Sequence, residues 1–384
     1  MASFRPWASI PSELLLISDG FSHLESYCRA RGVCSAWRAA LPPPIPSLVT
    51  VTTTIQPGAP PPLRPQAPDV SALFLPAGRS YPLTTLSRGS RCVGSSSGWL
   101  AVDSRPNSLG IYLVSRLAGG VHVPLLPLRN GGEPVAKVVF APRPTAEDYV
   151  AVAICGPRRL AYTKARDMKW MLLDVAAVAR WGEGPRRRPV VEPLLQAAAE
   201  RAGVGGLPAY DPAAAYAPPY DAASRFTGAS RNVFFFGGDL YQAWRNTTGA
   251  AVSWAVPGGG KFGMAKDEVF VLKYDPERRR PCWDAVKDLG GCSVFVGKNQ
   301  PVVLRAQDTP GVRPNCVYWI NERSRNEPMI FDMANGTSTV GSSFRRKIAE
   351  PVPVCWYFLY DKDYDCRGLC SSQSEIKRIR TEEV

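Results

Sequence analysis

Proline and glycine interrupt this chain from end to end, 37 of the one and 33 of the other in 384 residues. Proline removes a backbone donor and fixes φ, and glycine weakens the interiors of helices and strands. Breaks at that frequency call for many turns and short elements and argue against a helix bundle. A hydrophobic content of 45% with 21% charged residues belongs to a folded chain rather than a disordered one. The length suffices for one large core or for two domains of unequal size.

From residue 70 onward the breaks bound short apolar runs. They include "SALFLP", "RCVGSSSGWLAVD", "GIYLVS", "VHVPLLPL", "KVVFA", "YVAVAIC", "RLAYTKA", "VFFFGGDLYQAW", "EVFVLKYD", "CSVFVGKN", "NCVYWIN", "MIFDMANG" and "CWYFLYD". β-branched and aromatic residues dominate these runs, and each is the length of one short strand. The clearest hairpin signal joins 233–236 to 240–244 across Gly237-Gly238-Asp239. Many small antiparallel strands with recurring aromatic–glycine hairpins fit a propeller or an irregular barrel better than a two-sheet sandwich. The chain is therefore read as mainly β, with a β-propeller-like domain over 70–362 whose degenerate repeat hides the blade number. Residues 171–230 break the pattern with a short helical stretch, "PLLQAAAERAG", and the low-complexity "VGGLPAYDPAAAYAPPYDAAS". They read as a mobile surface insertion. Residues 363–384 read as a charged C-terminal tail.

The front of the chain is different. Residues 7–41 read as three short helices. The first, "IPSELLLISDGF", has a serine (Ser9 or Ser12) able to cap it and ends at Asp19-Gly20. The second, "HLESYCRARG", stops at Gly32, and the third, "VCSAWRAAL", stops at Pro42. Helices this short are not stable alone. Leu14, Leu15, Ile17, Phe21, Leu24, Tyr27, Val33, Cys34 and Trp37 are more apolar material than some thirty residues can bury among themselves. Such a module either docks on a partner or caps the β domain. Residues 42–69, with ten prolines and a Thr/Val patch in the middle, read as a proline-rich linker.

Side chains for bond chemistry are scarce. The two histidines, His23 and His122, have no metal-ligating companions in sequence, so neither a zinc site nor a general base is expected. The ten cysteines are irregularly spaced without a Cys-x-x-Cys, as reduced, mostly buried thiols would be. "GGGK" at 258–261 lacks the glycine spacing and the Ser or Thr of a phosphate loop and reads as a hairpin loop. "VGSSSGWL" has serines but no Gly-x-Ser-x-Gly elbow. No catalytic, cofactor-binding or metal-binding residue is assigned, and the chain is not expected to be an enzyme. The net charge of +13 is scattered over short runs at 186–188, 278–280 and 345–347 and over Lys377, Arg378 and Arg380. Without a stacking platform between them, these runs argue against a nucleic-acid surface. No segment approaches a membrane span or a signal peptide.

The segment "WASIPSELLLISDGFSHLESYCRARGVCSAWRAAL" resembles an F-box through Ile10, Pro11, Glu13, Leu14, Ile17, Arg29, Val33, Cys34, Trp37 and Arg38. The rest resembles the plant F-box proteins whose C-terminal region is called domain of unknown function 295, thought to be propeller-like. The pieces that carry this are "CVGSSSGWLAVD", "KVVFAPRPTAEDYVAVAI", "NVFFFGGDLYQAW", "MIFDMANG" and, most tellingly, the run over 289–320. The stretch "NTTGAAVSWAVPGGGKFGMAKD" departs from that family and puts the completeness of one blade in question. The resemblance implies a substrate receptor of an SCF-type (cullin-RING) ubiquitin ligase in the cytoplasm or nucleus. Its F-box would bind the adaptor subunit through Pro11, Leu14, Leu15, Ile17, Val33 and Trp37, and its β domain would hold a protein substrate. The competing expectation is a non-catalytic propeller scaffold with a degenerate F-box.

Overall fold

The computed structural model of the chain describes residues 24–41, 46–52, 69–74, 79–86, 90–104, 110–115, 120–128, 135–155, 159–174, 229–255, 261–275, 282–324, 326–341 and 352–359. Among them are two helices, α1 (Leu24–Arg31) and α2 (Ser35–Ala40), followed by strands alone apart from one 3-10 turn. The strands form a five-bladed β-propeller. Blade one contains β1 (Ser47–Thr52), β2 (Asp69–Phe74), β3 (Arg79–Thr85) and the last strand of the chain, β23 (Val352–Tyr357), in the order β23-β1-β2-β3. Blade two is β4 (Arg91–Ser96), β5 (Trp99–Asp103), β6 (Ile111–Ser115) and β7 (Val121–Pro124). Blade three is β8 (Lys137–Phe140), β9 (Val150–Ile154), β10 (Arg159–Lys164) and β11 (Met171–Asp174).

Blade four takes β12 (Ala229–Phe236), β13 (Asp239–Asn246), β16 (Val269–Asp275) and β17 (Cys282–Val286). A separate hairpin of β14 (Val252–Ala255) and β15 (Lys261–Met264) is inserted between β13 and β16. Blade five runs in the order β19-β18-β20-β21-β22, from β18 (Cys292–Phe295), β19 (Val302–Arg305), β20 (Cys316–Asn321), β21 (Glu327–Asp332) and β22 (Thr337–Val340). Here β18 and β20 are parallel, whereas the other blades are antiparallel.

A blade has a neighbour on each face, so its inner strands are apolar on both sides rather than alternating. In β5, Leu100 and Val102 join the cluster shared with blade one, while Trp99 and Ala101 join the one shared with blade three. β20 divides in the same way. Val317 and Trp319 pack toward blade four, and Cys316, Tyr318 and Ile320 toward blade one. In β23, Cys355 and Tyr357 enter the cluster with blade two, and Trp356 and Phe358 the cluster with blade five. The Phe295 ring stacks on Tyr318 at 4.3 Å and meets Trp356 edge-on at 5.0 Å, which joins the first and last blades through aromatic packing.

The "CVGSSSGWL" motif grips the closing strand. Its Ser97-Gly98 turn has φ of 47° and 80°, the left-handed pair that a two-residue hairpin requires. The Gly98 amide donates to the Phe358 carbonyl at 2.7 Å, and the Tyr357 hydroxyl donates to the Gly98 carbonyl at 2.8 Å. Ser95 Oγ donates to the Trp356 carbonyl, and Cys92 Sγ lies 3.8 Å from Cys355 Sγ. Gly94, within β4, faces blade three instead. A Cβ there would lie 2.2 Å from the Val138 carbonyl oxygen of blade three.

Several expectations meet the structure here. The hairpin over 233–244 forms with Gly237 and Gly238 at φ of 60° and 89°. Two of the three expected helices are present; the first lies outside the described residues. The Thr/Val patch within the expected linker 42–69 is β1, which lies between β2 and β23, so the propeller starts earlier than residue 70. Proline density around the patch masked a strand that is central in its sheet. The stretch after Trp244 does not leave a blade incomplete: blade four keeps four strands and carries the hairpin as an addition, with Lys261 of "GGGK" opening its second strand and the three glycines outside the described residues. Most of the expected insertion, 175–228, and the tail 363–384 lie outside the described residues.

Substituting Gly94→Ala is expected to lower stability by about 1–3 kcal/mol, because a backbone oxygen cannot move as a flexible side chain can. A urea midpoint equal to that of the unaltered chain would contradict this close approach.

Candidate functional site

Two convergences of polar groups among the described residues differ in what they can do. The first is internal. Lys137 on β8 sends its Nζ to the Gly297 carbonyl at 2.6 Å and to Asn232 Oδ1 on β12 at 3.3 Å. One side chain reaches blades three, four and five together only where the blades converge. Beside it the 297–300 stretch of blade five ties to blade two. Gln300 N donates to the Ser95 carbonyl at 2.9 Å, Ser96 Oγ donates to Gln300 Oε1 at 2.7 Å, and Asn299 is fully buried. Burial lowers the Lys137 pKa to about 8. Lys137, Asn232, Ser96 and Gln300 have partners within the cluster, the Asn299 amide donates to the Phe295 and Gln300 carbonyls while its Oδ1 has no partner, and the cluster is a structural tie across the ring.

The second place is open to solvent. A cleft of about 220 Å³ lies between blades four and five, at the end of β13, the β15–β16 connection and the β20–β21 turn. Arg245, Lys266 and Arg323 line it together with Asp267, Thr247 and Asn321. Arg245 belongs to β13 and lies over the Trp319 ring of β20, its guanidinium carbon 4.2 Å from the ring centroid. Burial pulls its pKa below the ordinary arginine value, with Glu322 and Asp267 opposing that shift. Asn246 shapes the rim: fully buried, it donates its amide to the Ala250 and Ala265 carbonyls and accepts from Thr248. Burial also closes this asparagine, the acceptor position of the sequon Asn246-Thr247-Thr248, to glycosylation. Gly249, at φ 78°, leaves room for Arg323, whose guanidinium nitrogen lies 3.1 Å from where a Cβ would stand. Among the described residues no carboxylate lies within ion-pair distance of Arg245, Lys266 or Arg323.

The residues expected to contact an adaptor divide in two. Pro11, Leu14, Leu15 and Ile17 lie outside the described residues. Val33, in the α1–α2 turn, is 53% exposed, and Trp37 on α2 is half-buried against Tyr27, Ala30 and Leu41. α1 seats the pair on blade one. Leu24 enters the cluster of Val49, Val70 and Tyr81, and the Tyr27 ring lies 6.2 Å from that of Tyr81. Cys34 Sγ accepts from Trp37 N and caps α2, none of whose residues is buried. The helical pair is thus attached on one side and open on the other.

Among the described residues, no three His, Cys, Asp or Glu side chains stand where they could hold a metal ion, and no helix is long and apolar enough to cross a membrane. Seven of the described cysteines are free thiols, five of them buried. His122 is exposed on β7 with its ring 5.5 Å from that of Tyr112. Sequence reasoning missed the cleft because Arg245, Lys266 and Arg323 are isolated cations far apart in the chain. The one local signal was an arginine directly after Trp244 in a strand otherwise built for burial.

A ring of five blades defines the chain as a β-propeller. The chain belongs to the KIB1-4 beta-propeller family, whose model matches residues 68–186 and 204–339. The expectation of a plant propeller domain is met by this match and by the five blades. Among curated proteins none matches the chain.

Because Lys137 holds its proton less tightly in the fold, the unfolded chain binds more protons between about pH 8 and the ordinary lysine value near 10.4. Stability is therefore expected to rise with pH across that window. Denaturant titrations at pH 7 and pH 9.5 should show the unaltered chain gaining relative to Lys137→Met. A constant difference would contradict the desolvated amine.

Proposed function

We propose that the chain is a non-catalytic protein-interaction module in which a rigid five-bladed ring presents binding surfaces in fixed relation. The observation that carries this reading is the contrast between the two polar sites. The internal cluster is largely satisfied by its own partners, with Asn299 Oδ1 left over, whereas the cleft between blades four and five brings three cations and one carboxylate to a site open to solvent. Such a site offers charge and hydrogen-bond donors for recognition.

The finer reading is a substrate receptor of an SCF-type ubiquitin ligase. Its support is the F-box-like pattern running from Ile10 and Pro11 to Trp37, together with the open side of α2 and the exposure of Val33. In that reading Pro11, Leu14, Leu15, Ile17, Val33 and Trp37 bind or support binding of the adaptor, in the cytoplasm or nucleus. The propeller then holds a protein substrate near the conjugating enzyme, and the chain contributes proximity rather than bond chemistry. The firm seating of Leu24 and Tyr27 on blade one favours the plainer scaffold, since part of the apolar surface that a free docking module would offer is already covered.

Co-purification with the adaptor subunit separates the two readings. The ligase reading expects the full chain to bind, and Leu14→Ala with Trp37→Ala to weaken binding by at least about a hundredfold. Equal binding by the double variant would refute the contact assignment. Absence of binding by the unaltered chain, under conditions where other F-boxes bind, would leave the scaffold alone.

A further inference from the structure

We propose that the cleft between blades four and five is a phosphoryl site that takes a phosphorylated side chain of a protein partner. The inference rests on reading the propeller as an interaction module and names what one of its surfaces recognises.

Charge is the first reason. Arg245, Lys266 and Arg323 against Asp267 leave the lining with a net charge of two. A phosphomonoester carries about −1.5 to −2 near neutrality, which matches that excess, whereas a single carboxylate would cover half of it. Of the neighbouring acids, Glu322 acts on Arg245 only from beyond ion-pair distance, and Glu327 is engaged by a hydroxyl of the lining. Glu322 pairs with Lys298 at 3.7 Å, and Glu327 accepts from Ser324 Oγ at 2.9 Å. Geometry is the second reason. Arg245 is held over the Trp319 ring and Arg323 is given its place by Gly249, so two guanidinium forks are positioned before any ligand arrives. A guanidinium so placed, shielded from water and lacking a carboxylate, gains from an anion what the fold does not supply. Size is the third. At about 220 Å³ the cleft falls below the range of about 300–1,000 Å³ for drug-sized ligands and fits one side chain.

The test is fluorescence anisotropy of the full chain with degenerate peptide libraries containing a central phosphoserine or phosphothreonine. Unphosphorylated libraries are the comparison, and inorganic phosphate and free O-phosphoserine are competitors. Phosphorylated libraries should bind more tightly, and the exposed-rim variants Arg323→Gln and Lys266→Gln should each weaken them about tenfold, the usual worth of a charge-assisted hydrogen bond. The double variant Lys164→Gln/Lys169→Gln, which removes exposed charge from blade three, should bind as the unaltered chain does. Equal binding of unphosphorylated libraries would overturn the proposal. So would equal loss in the blade-three variant, since diffuse charge would then be responsible. Competition by free O-phosphoserine at concentrations equal to the peptide would overturn the peptide source and leave a soluble phosphate as ligand. Adaptor co-purification measured on the same rim variants should be unchanged, so failure at the cleft remains distinct from failure of the interaction reading.

Discussion

The fold depends on one strand near the far end of the chain. β23 pairs with β1 and thereby completes blade one, and it also contributes Cys355 and Tyr357 to the cluster with blade two and Trp356 and Phe358 to that with blade five. The Ser97-Gly98 turn and Ser95 hold its carbonyls and hydroxyl from the side of blade two. Without it β1 would be an open sheet edge and two interfaces would lose large buried aromatics. The ring is thus a single object closed by contacts of very long sequence separation. Both strands of the closing pair lie outside the residues matched by the family model, which run from 68 to 339.

That separation explains what could and could not be read from the residues. Individual strands were legible, because burial on both faces writes runs such as "CVYWIN" and left-handed turns write glycine pairs such as Gly237-Gly238. The blade number was not, since blade five swaps an antiparallel pairing for a parallel one and blade four carries an extra hairpin. β1 was hidden by prolines on either side, and its pairing with β23 leaves no local trace. The serines of "VGSSSGWL" looked like an incomplete nucleophile motif, yet their role is to donate to Trp356 and Gln300. The candidate cleft was the least legible part. Arg245, Lys266 and Arg323 become neighbours only after blades four and five pack, and no spacing rule joins them.

The ring and the helical pair fit one physical picture. A propeller with a filled interior changes shape little, so whatever binds its surfaces is held in fixed orientation to α1 and α2, which Leu24 and Tyr27 fasten to blade one. A receptor that brings a target to other machinery needs that fixed relation. A scaffold needs it as well, which is why the attachment of the helices agrees with both readings and only the open side of α2 bears on the adaptor.

Amide hydrogen exchange of the full chain tests the closure directly. Terminal segments ordinarily fray, and their amides exchange through small local openings. Closure by β23 predicts that its amides and those of β1 exchange as slowly as those of β4 and β20, at the free energy of global unfolding. Exchange of β23 by orders of magnitude faster than β4, with the rest of the ring still protected, would show that the ring stands without its last strand and would contradict the account.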